Sequence, residues 1–346
     1  MKYGAIPVNP LERLALLTGM VPIPAVDALY GLVKARSLMA AVRLGLFEAL
    51  RGGPRSPEAV AGELGLDAEC TGLLMRALAY ADYLEQEPRG YRLSRISRRS
   101  LLAGSPMDMR GFVEWNYHQW QLLDHLEALV ETGQGADFHL VMKDPALWAA
   151  YQRAMLDIAR LQARVVAKKV PVRPGARRLL DLAGSHGLFG AAICRRHPGL
   201  TSTVIDLPAA IEPARALARE EKIDDLVEHR AGDLTSADLG GGWDVALLFN
   251  ILHHFKPQPI QEILARVFSA LSPAGTAAIW EIEVPEADSK PTDGDGAALF
   301  FRLTSTAACY RAAEYQAWLQ DAGFRRVRVV RPLTTPGNVL VIGQKA

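Results

Sequence analysis

The sequence predicts a mainly helical amino-terminal part of winged-helix type, followed by an α/β domain with a doubly wound, Rossmann-like sheet. Two observations predict the sheet. Short β-rich runs alternate with helical segments from about Arg177 onward, and a turn of small residues, Ala183 to Ser185, follows the first run. A third observation predicts the winged helix: two short helices precede a run at residues 91–94 that alternates like a strand.

Proline and glycine residues mark the boundaries between the parts of the chain. Pro171 to Gly175 directly precede the change from a helical to an alternating pattern. We therefore predict a winged-helix-like domain at residues 1–108, a helical linker and acceptor-pocket segment at 109–172, and the α/β domain at 173–346.

Composition and charge narrow the class of protein. The 346 residues are 49% hydrophobic and 22% charged, and the net charge of +1 favours neither nucleic acid nor an acidic membrane as a partner. The first residues lack the pattern of a secretory signal, and no apolar run reaches the ~20 residues of a membrane span. The three cysteines follow no metal or disulfide spacing, so we expect buried thiols, no metal site and a cytoplasmic location.

Helix-capping residues support the winged-helix prediction. Ser56 and Pro57 are typical of the first positions of a helix, and Gly65 is typical of its end. The next helix is predicted over residues 68–84. It carries one cation, Arg76, whereas a helix that enters the DNA major groove normally brings several donors. A DNA-binding regulator remains an alternative, because arginines follow in the wing. They are Arg89, Arg92, Arg95, Arg98 and Arg99.

The segment after the wing returns to long helices rich in aromatic side chains. Large aromatics usually pack in a core or an interface, and we expect one or two of these to face a pocket. They are Phe112, Trp115, Tyr117 and Trp120.

Strands and helices alternate through the rest of the chain. The runs that predict strands are residues 177–183, 201–207, 226–233, 243–250, 276–284, 325–330 and 338–344. The runs that predict helices are residues 187–196, 209–221, 257–271 and 311–324. In such a sheet, ligands bind at the carboxyl ends of the strands, near the point where the strand order reverses.

The first predicted strand ends in a turn of small residues. Asp181 is followed by Leu-Ala-Gly-Ser-His-Gly, in which Gly184 and its neighbours let a ligand approach the backbone. Gly187 lets the next helix pack closely on the strand. The turn is not a complete G-x-G-x-x-G, and the lysine of a phosphate-binding loop is absent, so the ligand need not be a phosphate.

Acidic residues end the next two strands as well. Asp206 follows the second strand, where a carboxylate can accept hydrogen bonds from both hydroxyls of a ribose. Asp233 follows the third, where its carboxylate or the neighbouring backbone can address an adenine amino group. Three acids at the ends of consecutive strands, behind a small-residue turn, predict a nucleotide-type cofactor site.

Six stretches, in this order, carry a resemblance to a known family: DLAGSHG, VIDLP, AGD, FNILHHF, LSPAG and WEIEVPE. They resemble the S-adenosylmethionine-dependent small-molecule O-methyltransferases of the plant caffeate type and, more closely, their bacterial secondary-metabolite branch. The resemblance extends from about Val26 to Gln344. It implies a class I methyltransferase fold, S-adenosylmethionine as cofactor with S-adenosylhomocysteine as product, and a homodimer formed through the winged-helix-like dimerisation domain.

The resemblance also implies roles for particular positions. His253 matches the family's catalytic base and Glu281 an acid that orients it, and a general base typically contributes ~10²–10⁴-fold. The implied cofactor-binding residues are Asp181, Gly184, Ser185, Gly187, Asp206, Leu207, Asp233, Leu234, Phe249 and Asn250. The candidate walls of the acceptor pocket are Trp115, His118, Trp120, Met155, His254 and Phe301.

The histidines allow other interpretations. The pair His253 and His254 can be structural, and adjacent histidines can suggest a metal. However, consecutive helical residues point about 100° apart, and no third ligand is evident. His186, in the glycine turn, is expected beside the cofactor.

One position departs from the family pattern. A second acid is expected six positions before the aromatic residue of the late helix, Tyr315, and Cys309 and its neighbours stand there instead. This departure keeps a C- or N-methyltransferase, and a non-methylating enzyme that retains the cofactor, as alternatives. Our hypothesis is O-methylation of a small aromatic or polyketide-like hydroxyl by a cytoplasmic homodimer with no nucleic-acid or membrane partner.

Overall fold

A computed structural model describes residues 4–135, 142, 144–284, 288–305 and 307–346. The chain divides into two structural units, Met1–His118 and Gln119–Ala346, and the division falls inside the segment predicted as a linker. Among the described residues, none of the helices combines the length and the apolar character that crossing a bilayer requires.

The first unit consists of helices and a two-stranded hairpin. Its helices are α1 (Pro10–Leu17), α2 (Ile23–Val26), α3 (Leu32–Arg43), α4 (Leu46–Ala49), α5 (Pro57–Leu64), α6 (Ala68–Tyr80), α7 (Arg95–Ser100) and α8 (Arg110–Gln119), whose last residue begins the second unit. A π-helical turn, Asp27–Gly31, lies between α2 and α3. The strands of the hairpin are β1 (Leu84–Glu87) and β2 (Gly90–Leu93).

The capping residues of the sequence begin and end α5 as expected. The Ser56 hydroxyl accepts a hydrogen bond from the Ala59 amide at 3.3 Å, and Gly65 follows the helix with a φ of +67°. By contrast, α6 ends at Tyr80, four residues before the predicted end. Asp82 adopts a left-handed φ of +63°, and the next residues enter the hairpin.

The order of helices and hairpin confirms the winged-helix-like class. Buried apolar side chains join α3 to α6 and the hairpin, among them Phe47, Met75 and Leu93. Burying one such side chain stabilises the fold by about 1.5–3 kcal/mol. In the wing, Arg92 forms ion pairs with Glu85 at 2.5 Å and Glu87 at 2.9 Å, so its charge is balanced within the hairpin.

The second unit contains all the strands expected of the α/β domain. They are β3 (Arg178–Leu182), β4 (Thr201–Asp206), β5 (Val227–Ala231), β6 (Trp243–Phe249), β7 (Leu271–Ile282), β8 (Arg325–Val330) and β9 (Asn338–Gln344). Within the described residues these seven strands form one sheet in the order β5-β4-β3-β6-β7-β9-β8. The five strands β5, β4, β3, β6 and β7 are parallel to one another, and β9 is antiparallel to both of its neighbours, β7 and β8.

Helices cover both faces of this sheet. The helices of the second unit are α9 (Leu126–Thr132), α10 (Pro145–Ala167), α11 (Leu188–Cys194), α12 (Pro208–Glu220), α13 (Pro257–Ala270), α14 (Asp293–Thr304) and α15 (Ala312–Asp321), and 3-10 turns occur at Trp120–His125 and Leu252–His254. One apolar layer joins the sheet to α10, α11 and α12, and another joins it to α13 and α15. The predicted doubly wound, Rossmann-like α/β sheet is therefore confirmed.

The strand order indicates which edge of the sheet is expected to carry the functional site. The chain moves outward from β3 through β4 to β5, and then returns to pair β6 with the other side of β3. The carboxyl ends of these four parallel strands lie along one edge. Ligands bind at such a reversal, so the turns after β3 and β6 are where a site is expected.

Candidate active site

The turn after β3 is held in a strained backbone conformation. Ala183 and Ser185 have φ values of +53° and +50°, which cost an L residue about 1–2 kcal/mol each. Gly184 lies between them, and a Cβ there would be 2.4 Å from the carboxyl carbon of Asp181. A Cβ on Gly187 would approach a valine side chain of β5 to 2.5 Å. Glycine is therefore required at both positions.

Asp181 is a buried carboxylate at the start of this turn. It is 1% exposed, and neither of its carboxylate oxygens has a hydrogen-bond partner among the described residues. Burial raises the pKa of Asp181 to about 7, against the opposing effect of the nearby Gly190 amide. The hydroxyls of Ser185 and Ser202 are also buried without a partner in the described part of the chain. Unpaired buried oxygens are costly, so this is a place that a ligand or water completes.

Asp206, at the end of β4, contacts the same turn. Its Oδ2 accepts a hydrogen bond from the Ser185 amide at 2.9 Å, and its Oδ1 accepts one from the Leu207 amide at 2.8 Å. Burial raises the pKa of Asp206 to about 6. The structure thus brings together the small-residue turn and the acid expected at the ribose. Each carboxylate oxygen retains capacity to accept a second donor.

Asp233, after β5, is exposed and shapes its own loop. Its Oδ1 accepts hydrogen bonds from the amide and the hydroxyl of Thr235, both at 2.7 Å. Leu234 is buried in the apolar layer beside α13, and its carbonyl accepts a hydrogen bond from Arg266 at 2.6 Å. The adenine contact expected of this pair stays a prediction, and because Oδ1 is engaged, Oδ2 and the backbone are the groups left to make it.

Phe249 and Asn250 end β6 and lead into the second turn. Phe249 packs edge-to-face on Phe189, with ring centroids 5.3 Å apart. Asn250 has a φ of +53°, and its amide donates to the Trp280 carbonyl at 2.7 Å. Asparagine visits this conformation more readily than most residues, so the turn carries less strain than the one after β3.

His253 and Glu281 form a buried pair on this second turn. The Nδ1 atom of His253 lies 2.8 Å from Oε2 of Glu281, and both side chains are almost fully buried. The other oxygen, Oε1, accepts hydrogen bonds from the amides of Ile251 at 2.8 Å and Leu252 at 2.7 Å. The acid on β7 therefore fixes both the imidazole and the backbone that carries it.

The position of the absent second acid is occupied by neutral groups. Cys309 is buried, and burial together with the charge of Glu281 raises the pKa of its thiol to about 12. Burial and the same charge hold the pKa of Tyr315 well above its usual range. Because two backbone amides already hold Glu281, the orientation of His253 does not require a second carboxylate.

The two histidines of the turn lie side by side, contrary to the expectation from helical geometry. The ring centroids of His253 and His254 are 4.2 Å apart, and the ring of Phe301 lies 4.1 Å from that of His253. Both residues belong to the 3-10 turn Leu252–His254, and their rings are in contact although consecutive positions of such a turn point apart. In the described ranges, no cluster of three or more His, Cys, Asp or Glu side chains could hold a metal. The pair forms a polar patch beside an aromatic wall.

The other candidate pocket residues belong to separate elements. Trp115 and His118 lie on α8 in the first unit, with ring centroids 5.9 Å apart. In the second unit, Trp120 begins a 3-10 turn and Met155 lies on α10. Their shared role as walls of an acceptor pocket stays a prediction.

Two buried histidines support the turn after β3. His186 accepts a hydrogen bond from the Leu188 amide through Nδ1 at 3.0 Å, and burial lowers its pKa to about 3, so it is a neutral support for the start of α11. Sequence reasoning missed His229, whose Nε2 lies 3.0 Å from the Ser185 carbonyl. The available signal was the alternation of β5, which puts Val227 and His229 on one face.

The turn after β3 fits a nucleoside cofactor that carries a cationic group. Asp181 offers buried oxygens without partners, and the Ser185 hydroxyl is likewise unpaired within the described residues. Asp206 offers acceptors to a ribose, and bonds to a charged group contribute about 1.5–3 kcal/mol each. The turn after β6 offers a fixed base. The two together can bind a nucleoside and remove a proton beside it.

Two family models match the chain. The model of an O-methyltransferase domain matches residues 121–325, and the model of an O-methyltransferase dimerisation domain matches residues 26–103. The first match covers more than half of the chain, and the second lies within the winged-helix-like first unit.

Individual proteins are similar over nearly the whole length. The 3-hydroxy-5-methyl-1-naphthoate 3-O-methyltransferase of Streptomyces sahachiroi is 30% identical over 94% of this chain and 96% of its own. The N,N-dimethyltransferase OxyT of Streptomyces rimosus is 26% identical over 90% of this chain and 93% of its own. The crystal structure of human N-acetylserotonin methyltransferase in complex with S-adenosylmethionine superposes with a TM-score of 0.85, at 20% identity, over 99% of both chains.

Proposed function

This chain belongs to the O-methyltransferase family and uses S-adenosylmethionine as its methyl donor, and we propose that it methylates a hydroxyl group on a small aromatic or polyketide-like acceptor. The observation that carries the proposal is the buried pair of His253 and Glu281 on the turn after β6. The bound cofactor supplies a methyl group already activated on a sulfonium. The chain's own tasks are therefore to align the acceptor and to take its proton.

His253 is the proposed general base. Its Nδ1 is engaged by Glu281 at 2.8 Å, so Nδ1 carries the ring proton and Nε2 keeps the lone pair that accepts the proton of the hydroxyl. The carboxylate of Glu281, hydrogen-bonded to Nδ1, stabilises the imidazolium that forms. The two hydrogen bonds that Glu281 accepts from backbone amides hold its carboxylate in place, and this keeps the His253 ring oriented during proton transfer.

The cofactor would be held by the turns after β3, β4 and β5. In this assignment Asp206 accepts the ribose hydroxyls, and Asp233 and Leu234 frame the adenine. The other residues proposed to contact the cofactor are Asp181, Gly184, Ser185, Gly187, Leu207, Phe249 and Asn250. The unpaired oxygens and the strain of the first turn support this assignment.

The proposed acceptor is planar and aromatic, with a polar substituent. Phe301 lies beside His253 and offers an apolar face, and His254 offers hydrogen-bonding atoms next to the base. Trp115, His118, Trp120 and Met155 are the further wall residues we propose. The relative from Streptomyces sahachiroi acts on a hydroxynaphthoate, which is an acceptor of this kind.

We also propose a cytoplasmic homodimer with no nucleic-acid or membrane partner. The dimerisation-domain match over residues 26–103 supports self-association through the first unit. Large apolar side chains are exposed there, including Leu11, Leu29 and Leu32, as an interface would require. The ion pairs of Arg92 with two glutamates reduce the cationic character of the wing.

N-methylation is the second candidate. The similarity to OxyT, named as an N,N-dimethyltransferase, favours it. A neutral amine attacks through its own lone pair and needs no base beforehand. The dependence of the rate on His253 therefore separates the two candidates.

The test uses methyl-labelled S-adenosylmethionine and hydroxy- and amino-substituted benzoates and naphthoates. We expect methyl ethers, identified by NMR, and a fall in turnover of about 10²–10⁴-fold in His253→Ala. His125→Ala, at an exposed position, is the control and should match the wild-type rate. Methylated amines with little dependence on His253 would replace the proposal with N-methylation, and cofactor binding without any methyl product would refute both.

A further inference from the structure

Ser185 is held at both of its backbone polar groups by side chains from two other strands. Its amide donates to Oδ2 of Asp206 at 2.9 Å, and its carbonyl lies 3.0 Å from Nε2 of His229. Asp206 ends β4, the neighbour of β3, whereas His229 lies on β5, one strand further away. The imidazole of His229 therefore reaches across β4 to fix the turn after β3.

The sheet register explains this reach. Asp181 pairs with Val204, and Val204 pairs with His229, so the three residues form one row across the sheet. Val227 lies two residues before His229 and faces the same side. A Cβ on Gly187 would lie 2.5 Å from the Val227 side chain. This face of β5 is therefore directed at the turn and at the start of α11.

The hydrogen bond also assigns the proton on the ring. A carbonyl oxygen can only accept, so Nε2 of His229 carries a proton and donates it to Ser185. His229 is 5% exposed, and burial lowers its pKa, which keeps the imidazole neutral at neutral pH. The charge of Arg215 lowers the pKa further, and the Arg215 guanidinium donates to the His229 carbonyl at 3.0 Å.

We propose that His229 is a positioning residue of the cofactor site, whose Nε2–H holds Ser185 in its left-handed conformation before the cofactor arrives. The proposal rests on the cofactor site proposed above. The positive φ of Ser185 is unfavourable on its own and persists because its amide and carbonyl are both engaged. Without the bond to His229 the turn relaxes, and the cofactor must order it again on binding, which lowers the affinity.

Two amide substitutions of His229 form a matched test. Glutamine places an amide nitrogen near the position of Nε2, and asparagine places one near Nδ1, too far back to reach Ser185. For the full chain we expect the Kd of S-adenosylhomocysteine, measured by calorimetry, to rise about 10-fold in His229→Asn and by less than about 3-fold in His229→Gln. The KM for S-adenosylmethionine should follow the Kd, with kcat at saturating cofactor unchanged.

Leu226→Ala is the control for a merely structural effect. Leu226 directly precedes β5 and packs on the apolar layer without a bond to the turn. It should lower the melting temperature and leave the Kd at the wild-type value. Equal affinities of the Gln and Asn variants, or a loss in Leu226→Ala as large as in His229→Asn, would overturn the proposal.

Hydrogen exchange of the Ser185 amide gives a second readout that needs no cofactor. We expect faster exchange in His229→Asn than in His229→Gln, because the turn opens more often without its donor. If the wild-type chain does not bind S-adenosylhomocysteine, the proposed function fails, while the exchange rates still decide the role of His229. Equal exchange in both variants would reject that role.

Discussion

Two turns on one edge of the same sheet differ in backbone strain and in whether their buried carboxylates have hydrogen-bond partners. The turn after β3 has two strained residues, Ala183 and Ser185, and the buried carboxylate of Asp181 has no hydrogen-bond partner among the described residues. In the turn after β6, Glu281 accepts hydrogen bonds from two backbone amides and from His253. In the first turn, a bound ligand must supply the missing hydrogen-bond partners. In the second turn, the fold itself supplies them.

The difference follows from what each turn must do. A general base works best when its orientation is fixed in advance, because no reorganisation is then needed during the reaction. A binding surface keeps unsatisfied donors and acceptors for its ligand, at a cost in stability that the bound ligand offsets. The comparison therefore predicts that substitutions in the second turn act mainly on kcat, and those in the first mainly on affinity and stability.

Glu281→Gln should give the largest effect, because it changes the hydrogen bond between residue 281 and His253 in the turn after β6. The two backbone amides keep the side-chain oxygen on their side, so the new NH₂ group faces Nδ1 of His253. The ring must then carry its proton on Nε2, which removes the lone pair that accepts the proton. We expect kcat to fall about 10²–10⁴-fold with an unchanged Kd for S-adenosylhomocysteine. A folded variant with near-wild-type kcat would show that the second turn needs no such pair.

Asp181→Asn should show how much stability the protein loses by burying this carboxyl group in the turn after β3. Because burial raises the pKa of Asp181 to about 7, the folded protein keeps a proton that the unfolded chain releases above about pH 4. Stability is therefore lost as pH rises from about 4 to 7. The asparagine should stabilise the ligand-free protein by about 2–4 kcal/mol at pH 8 and by less than about 1 kcal/mol at pH 4.5.

Urea unfolding of the Asp181→Asn variant at these two pH values is the measurement. Asp224→Asn, at an exposed position, serves as the control and should show no such difference. A stabilisation of equal size at both pH values would mean that folding does not raise the pKa of the Asp181 carboxyl group.

Asp206→Asn should weaken cofactor binding with little effect on the chemical step. The variant keeps one oxygen acceptor but loses the charge, and a hydrogen bond to a charged group contributes about 1.5–3 kcal/mol. We expect the Kd for S-adenosylhomocysteine to rise about 10- to 100-fold, and kcat at saturating S-adenosylmethionine to stay within about 3-fold. Unchanged affinity by calorimetry would remove Asp206 from the cofactor site.

Glycine substitutions compare the backbone strain of the two turns and should have the smallest effects. Ala183→Gly relieves a left-handed alanine and should stabilise the protein by about 0.5–1 kcal/mol, even after the entropy cost of glycine. Asn250→Gly should bring no gain, because asparagine already tolerates its φ of +53°. Denaturant unfolding of both variants tests this order, and an equal gain would show that the two turns are equally strained.

The sequence indicated most of the elements that carry these two turns. Short β-rich runs between helical segments located every strand from β3 to β9, and small residues and glycines located the turn after β3. His253 and Glu281 were found through the resemblance of FNILHHF and WEIEVPE to a family, and the structure places them 2.8 Å apart. What failed were statements about side-chain direction, such as the divergence expected of His253 and His254.

The sequence by itself determined the features that depend on neighbours along the chain: strand and helix order, caps, and the glycines of the first turn. Only the tertiary structure decided which distant groups meet. His229 reaches Ser185, and Glu281 meets two amides of another strand's turn, through contacts that close long stretches of chain. Periodicity reports which face of an element is apolar. The partner of a polar side chain depends on which strands are neighbours in the sheet and on their register, and the pattern of a single element does not give these.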